Sequence, residues 1–164
     1  MRYALFLVMS LISFQASAIE ITNFTSGLAC TDGHSLGWIC HETEEVHLTG
    51  QGTCTWDGED YPCTWYGFEF EYSGNDDNLE ISCQFTTSQS ATSGNPKGVI
   101  EDSSETGSFS FKLEGEKGRF YNPQYSLLAT KPEYRAVQTI ETTCEADETH
   151  LFEFRFNVHY PISG

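Results

Sequence analysis

Alternation is the feature that most restricts what this chain can become. Leu151 is followed by Phe152, Phe154, Phe156, Val158 and Tyr160, interleaved with Glu153, Arg155, Asn157 and His159. Successive side chains of an extended strand point to opposite faces, so such a run buries one face and wets the other. The pattern recurs. Tyr66, Phe68, Phe70 and Tyr72 alternate with Gly67, Glu69 and Glu71; Leu79, Ile81, Cys83 and Phe85 with Glu80, Ser82 and Gln84; Phe109, Phe111 and Leu113 with Ser110 and Lys112. Less regular strands are expected over 125–129 and 134–144. Polar or Gly-rich breaks at 73–78, 88–97 and 115–118 separate these runs, and no segment carries the spacing of an amphipathic helix. Many short strands with one polar face predict an all-β fold: an antiparallel sandwich of immunoglobulin or jelly-roll type, or an open barrel. The Ser-, Thr- and Gly-rich stretch over 88–107 reads as a flexible or binding loop, with one short strand around Val99 and Ile100.

Six cysteines add a second restriction: Cys30, Cys40, Cys54, Cys63, Cys83 and Cys144. Their even number suits three disulfides, and the absence of paired CxxC spacings argues against zinc. Cys54 and Cys63 bracket Asp57, Gly58, Glu59 and Asp60. With those four residues as a hairpin loop, Trp56 faces Tyr61 and Cys54 faces Cys63. Cys83 and Cys144 lie on the apolar sides of their strands, and their union restricts the unfolded chain by roughly 4 kcal/mol. Cys30–Cys40 follows by elimination. With every thiol used, no cysteine is left to act as a nucleophile.

The amino terminus has the three parts of a secretory signal. Met1 and Arg2 precede a mostly apolar stretch over 3–14, and Gln15, Ala16, Ser17 and Ala18 supply an Ala-x-Ala cleavage site. The stretch is shorter than the ~20 residues of a membrane span. Residues 1–18 are therefore read as a cleaved signal peptide and 19–164 as a single all-β domain, periplasmic or extracellular, with no membrane insertion. The formal net charge is −16, and loss of Arg2 with the signal makes it one unit more negative. Phosphate contacts need clustered Lys and Arg, so nucleic acid is excluded as a partner. An acidic surface keeps an exported protein dispersed, and it also suits a cationic partner.

Several residues are candidates for chemistry. Glu69 and Glu71 point the same way from one strand, ~6–7 Å apart, near the separation of the two carboxyls in glycoside hydrolysis; Trp65 shares their face and could stack on a sugar. These are weak catalytic candidates, because a solvated polar row looks the same. Trp38, Trp56 and Trp65 are candidate glycan-binding residues, and packing against disulfides accounts for them equally. Asp57, Asp60, Asp76 and Asp77 lie in acidic turns with the oxygen ligands calcium prefers, but outside an EF-hand pattern. No cofactor and no metal is expected, calcium being the one ion these turns could hold; His41 and His47 would stand ~20 Å apart on a common strand, too far for one metal. No Gly-x-Ser-x-Gly elbow is present. Asn23-Phe24-Thr25 matches the N-glycosylation pattern.

These features lead first to an exported, non-catalytic binding protein, an inhibitor or neutraliser of a basic protein. A carbohydrate-binding module using exposed Trp is the alternative, and a small secreted glycoside hydrolase the third reading. The expected partner is accordingly a protein or a glycan.

Overall fold

The computed structural model describes residues 19–30, 39–56, 58–74, 79–89, 93–95, 98–100, 105–127 and 137–161. The expected signal peptide over 1–18 lies outside them. Twelve strands occur among the described residues, and no helix: β1 (Glu20–Ala29), β2 (Ile39–Glu42), β3 (Glu45–His47), β4 (Gly52–Trp56), β5 (Glu59–Ser73), β6 (Glu80–Thr87), β7 (Ser93–Asn95), β8 (Gly98–Ile100), β9 (Thr106–Lys112), β10 (Lys117–Leu127), β11 (Val137–Ala146) and β12 (Thr149–His159). They form two sheets. One has seven strands in the order β2-β1-β5-β10-β7-β8, with β4 also on β5; the other has five, ordered β3-β12-β11-β6-β9. The architecture is a sandwich and not a closed barrel.

The alternating runs put their apolar faces between the layers. Tyr66, Phe68 and Phe70 of β5 meet Phe156, Phe154 and Phe152 of β12, with ring centroids 5.0, 4.8 and 5.2 Å apart. Each step along β5 is matched by one step back along β12, so the two strands run face to face in opposite directions. Phe111 and Phe120 stack at 4.1 Å beside them. Tyr66, Phe68, Phe70, Ile81, Cys83, Leu113, Cys144, Phe156, Val46 and Val158 are all at most 1% exposed. Burying a large apolar side chain contributes roughly 1.5–3 kcal/mol, so this aromatic seam dominates the cohesion between layers.

All three cystines form as the sequence predicts: Cys30–Cys40, Cys54–Cys63 and Cys83–Cys144. Each links neighbouring strands of one sheet, and none crosses between layers. Cys83 and Cys144 are directly opposed on β6 and β11. This differs from the inter-sheet cystine of antibody domains. The hairpin register is a correction. Trp56 opposes Glu59 and Cys54 opposes Tyr61, so the connection is two residues long and Cys54 reaches Cys63 diagonally. Asp-Gly favours the tight two-residue turn, and Gly58 has φ +80°, a conformation glycine adopts without cost.

Two further departures have local causes. β1 escapes the period-two pattern because Asn23, at φ +51°, forms a bulge: Thr22 opposes Glu71 and Thr25 opposes Glu69, so three steps along β1 match two along β5. The extra residue shifts the phase, so Ile21 and Phe24, three apart, both pack on the core. The break expected over 115–118 is shorter: Gly115 turns at φ +76°, and Lys117 already pairs with Ser73. One pairing is parallel, β3 on β12. β2 belongs to the seven-stranded sheet and β3 to the five-stranded one, so the chain changes layer at Thr43 and Glu44.

Candidate binding site

The polar face of the five-stranded sheet is built by the alternation that fills the core. Facing outward are Glu153 and Arg155 from β12, Glu141 and Thr143 from β11, Gln84 and Thr86 from β6, and Thr106 and Ser108 from β9. Register aligns them in rows: Arg155–Glu141–Thr86–Thr106 and Glu153–Thr143–Gln84–Ser108. Two open hollows lie over these rows. One, of about 430 Å³, is lined by Glu44, Glu141, Thr143, Glu153 and Arg155. The other, of about 510 Å³, is lined by Gln84, Thr86, Thr106, Ser108, Glu141 and Thr143. They share Glu141 and Thr143, which makes one trough across the sheet.

The trough is negative at one end and hydroxyl-lined at the other. Arg155 Nη1 lies 3.8 Å from Glu141 Oε1, and both side chains are about half exposed. Glu44 is held at the rim because its carbonyl accepts a hydrogen bond from Asn157 N at 2.7 Å. Three carboxylates thus face one guanidinium. The edge beyond adds a further acidic group. Glu45 bonds His159 and accepts from Asn157 Nδ2 at 2.8 Å, and His159 stacks on His47 with centroids 4.2 Å apart. The His159 hydrogen bond, followed by that of Asn157, holds the Glu45 carboxyl below its ordinary value. The parallel pairing of β3 and β12 is what brings His47 beside His159.

The residues singled out in the sequence are mostly elsewhere. Trp65, Glu69 and Glu71 share the outer face of β5, in the opposite sheet. Glu69 is buried and bonded to Arg119, with Nη2 to Oε1 2.6 Å, whereas exposed Glu71 accepts from Asn23 Nδ2 at 3.0 Å. Trp65 packs on Cys54 and Cys63, and its indole stands where a Cβ at Gly52 would project. Trp56 lies in β4, and its side chain, like Trp38, Asp57, Asp76 and Asp77, is outside the described residues. Asp60 is exposed and accepts a hydrogen bond from Thr55 Oγ1 at 2.8 Å. Among the described residues no group of three or more His, Cys, Asp or Glu is arranged to hold a metal ion, and no helix is long and apolar enough to cross a membrane. The trough residues Glu44 and Glu141 were missed because only strand order brings them to Glu153 and Arg155.

No protein-family model matches the chain, and no curated protein sequence matches it. Among solved structures it is similar to the Pseudomonas fluorescens alkylpurine DNA glycosylase AlkC bound to DNA containing an abasic site analog, with 8% sequence identity and a TM-score of 0.38. That likeness covers 86% of this chain and 30% of the glycosylase, so the chain spans about a third of that protein, and no function is carried over from it.

Proposed function

We propose that this is an exported binding protein that receives a basic protein on the outer face of its five-stranded sheet. The observation that carries the reading is the convergence of Glu44, Glu141 and Glu153 on one trough against a single guanidinium, that of Arg155. The net charge of −16 extends the same field over the molecule and would steer a cationic partner toward it. Large apolar groups exposed among the described residues are confined to Tyr61 and Val137. Recognition therefore rests on charge and hydrogen bonds rather than on an apolar anchor, and it should be strongly screened by salt. Three cystines suit an oxidising compartment outside the cytosol.

The test is capture from a set of purified basic secreted proteins at about 0.01 M and about 1 M salt, where the Debye length is ~30 Å and ~3 Å. A partner held at low salt, released at high salt and lost with Glu141→Gln/Glu153→Gln supports the reading. Absence of any salt-sensitive partner, or capture indifferent to those substitutions, counts against it.

A further inference from the structure

At one edge of the five-stranded sheet, parallel pairing sets His47 of β3 directly opposite His159 of β12. Their imidazoles lie with centroids 4.2 Å apart and planes 18° from parallel. Both rings reach solvent: His47 is exposed, and the His159 side chain is 30% exposed. The backbone beneath them is fixed. Val46 and Val158, the adjoining pair, are fully buried. Asn157 N donates to Glu44 O at 2.7 Å, and Leu48 N to His159 O at 3.1 Å. The sheet itself therefore holds the two rings side by side, before any ligand arrives.

One ring nitrogen is engaged, Nε2 of His159, by Glu45 Oε2. Glu45 is steadied in turn by Asn157 Nδ2, which donates to its Oε1 at 2.8 Å. An ionised carboxylate only accepts, so in the neutral ring of His159 the proton sits on Nε2 and the lone pair of Nδ1 is left free. Neither that Nδ1 nor either nitrogen of His47 makes a hydrogen bond to another described residue. Histidines that bind metals are held in this way: a carboxylate takes the far N–H, fixes the tautomer and leaves the other nitrogen to the ion.

We propose that His47 and His159 bind a divalent transition cation of the class that prefers imidazole (zinc, copper or nickel), with Glu45 as the positioning residue. Two nitrogens at the ~2.0–2.1 Å of a zinc–imidazole bond stand about 3.3 Å apart, so rings 4.2 Å apart reach one ion by turning about their side-chain bonds. Calcium and magnesium want oxygen ligands and do not suit the pair. With Glu45 engaged by His159, the chain supplies two donors and water the rest. The site is accordingly open and exchangeable, unlike the closed four-ligand centres of structural zinc. A bound ion ties β3, only three residues long, to β12. The inference does not depend on capture of a basic protein.

The test is titration of the mature protein with zinc, nickel and copper salts, and with magnesium as a control, followed by calorimetry and by nuclear magnetic resonance of the histidine rings. One zinc ion should bind per chain with a micromolar dissociation constant, moving the ring signals of His47 and His159 and leaving those of His41 and His150 in place. His47→Gln should weaken binding at least ~10-fold, and Glu45→Ala about tenfold, the low end of the loss when an outer carboxylate is removed. Glu45→Ala should also shift the His159 ring nitrogens toward the other tautomer, which a merely structural contact would not do. In the wild-type protein, zinc at about a hundred times its dissociation constant should raise the melting temperature by about 5–10 °C. Binding only at millimolar zinc, shifts confined to other histidines, or affinity unchanged by His47→Gln overturns the inference. Affinity unchanged by Glu45→Ala overturns the role of Glu45.

Discussion

Replacing Cys83 and Cys144 by Ala should cost far more stability than replacing Cys54 and Cys63, although both changes remove two buried sulfurs. The cystines differ in the length of chain they tie. Cys83 and Cys144 are 61 residues apart, Cys54 and Cys63 only 9. In the loop-entropy account the longer link restrains the unfolded chain by about 4.3 kcal/mol and the shorter by about 2.6 kcal/mol. For a domain of this size each kcal/mol moves the melting temperature by roughly 2–4 °C, so the long-loop variant should melt about 10–15 °C below wild type and the other about 5–10 °C. Urea unfolding followed by circular dichroism measures both free energies. It should also show a steeper dependence on urea for the long-loop variant, whose unfolded chain is free to expand. Equal losses in the two variants, or a larger loss from the short loop, would refute the argument and place the stabilisation in native-state contacts.

Phe68→Ala should destabilise by about 3–5 kcal/mol in the same assay, because its ring meets Phe24, Phe70, Phe111, Phe120, Phe152 and Phe154 at the centre of the seam. A loss below about 1 kcal/mol would mean that the layers do not close on this ring. Asp147 and Glu148 form the two-residue turn between β11 and β12 with φ +48° and +63°. Glu148→Gly supplies the Asp-Gly pair such turns prefer and should raise stability by up to about 1 kcal/mol, visible as a higher urea midpoint; a lower midpoint would show that turn strain is not limiting. Glu45, held below its ordinary value of 4.5 by His159 and Asn157, stabilises the fold above the unfolded value, and that contribution is lost as pH falls through the lowered folded value. Glu45→Gln should flatten this part of the acid limb in urea midpoints taken from pH 6 down to pH 2, and an unchanged limb would remove the contact from the account.

Strand-level facts were legible wherever one face of a strand is apolar without interruption. The runs ending in Tyr72, Phe85 and Tyr160 required nothing but period two; of the cystines only Cys83–Cys144 came from strand faces, whereas Cys54–Cys63 came from an assumed hairpin and Cys30–Cys40 by elimination. β1 was hidden because one residue at Asn23 changes the phase, and phase is all that a pattern argument has. The hairpin at Gly58 was misread by one turn length, since two registers place Cys54 near Cys63 and only the backbone preference of Asp-Gly separates them. The site was less legible than the fold. Glu153 and Arg155 stand on a polar face that the sequence shows, but Glu44 and Glu141 join them through strand order, to which local alternation is blind. Glu69 was noticed as a carboxylate beside Trp65, while its burial and its contact with Arg119 depend on β10 lying alongside β5.

The cystines join cysteines in simple succession, the first with the second, the third with the fourth, the fifth with the sixth. Because a chain is synthesised amino terminus first, the correct partner of each odd-numbered thiol is always the next to emerge. An oxidase acting on nearest available thiols would then produce the native set directly, and a disulfide isomerase would have nothing to repair.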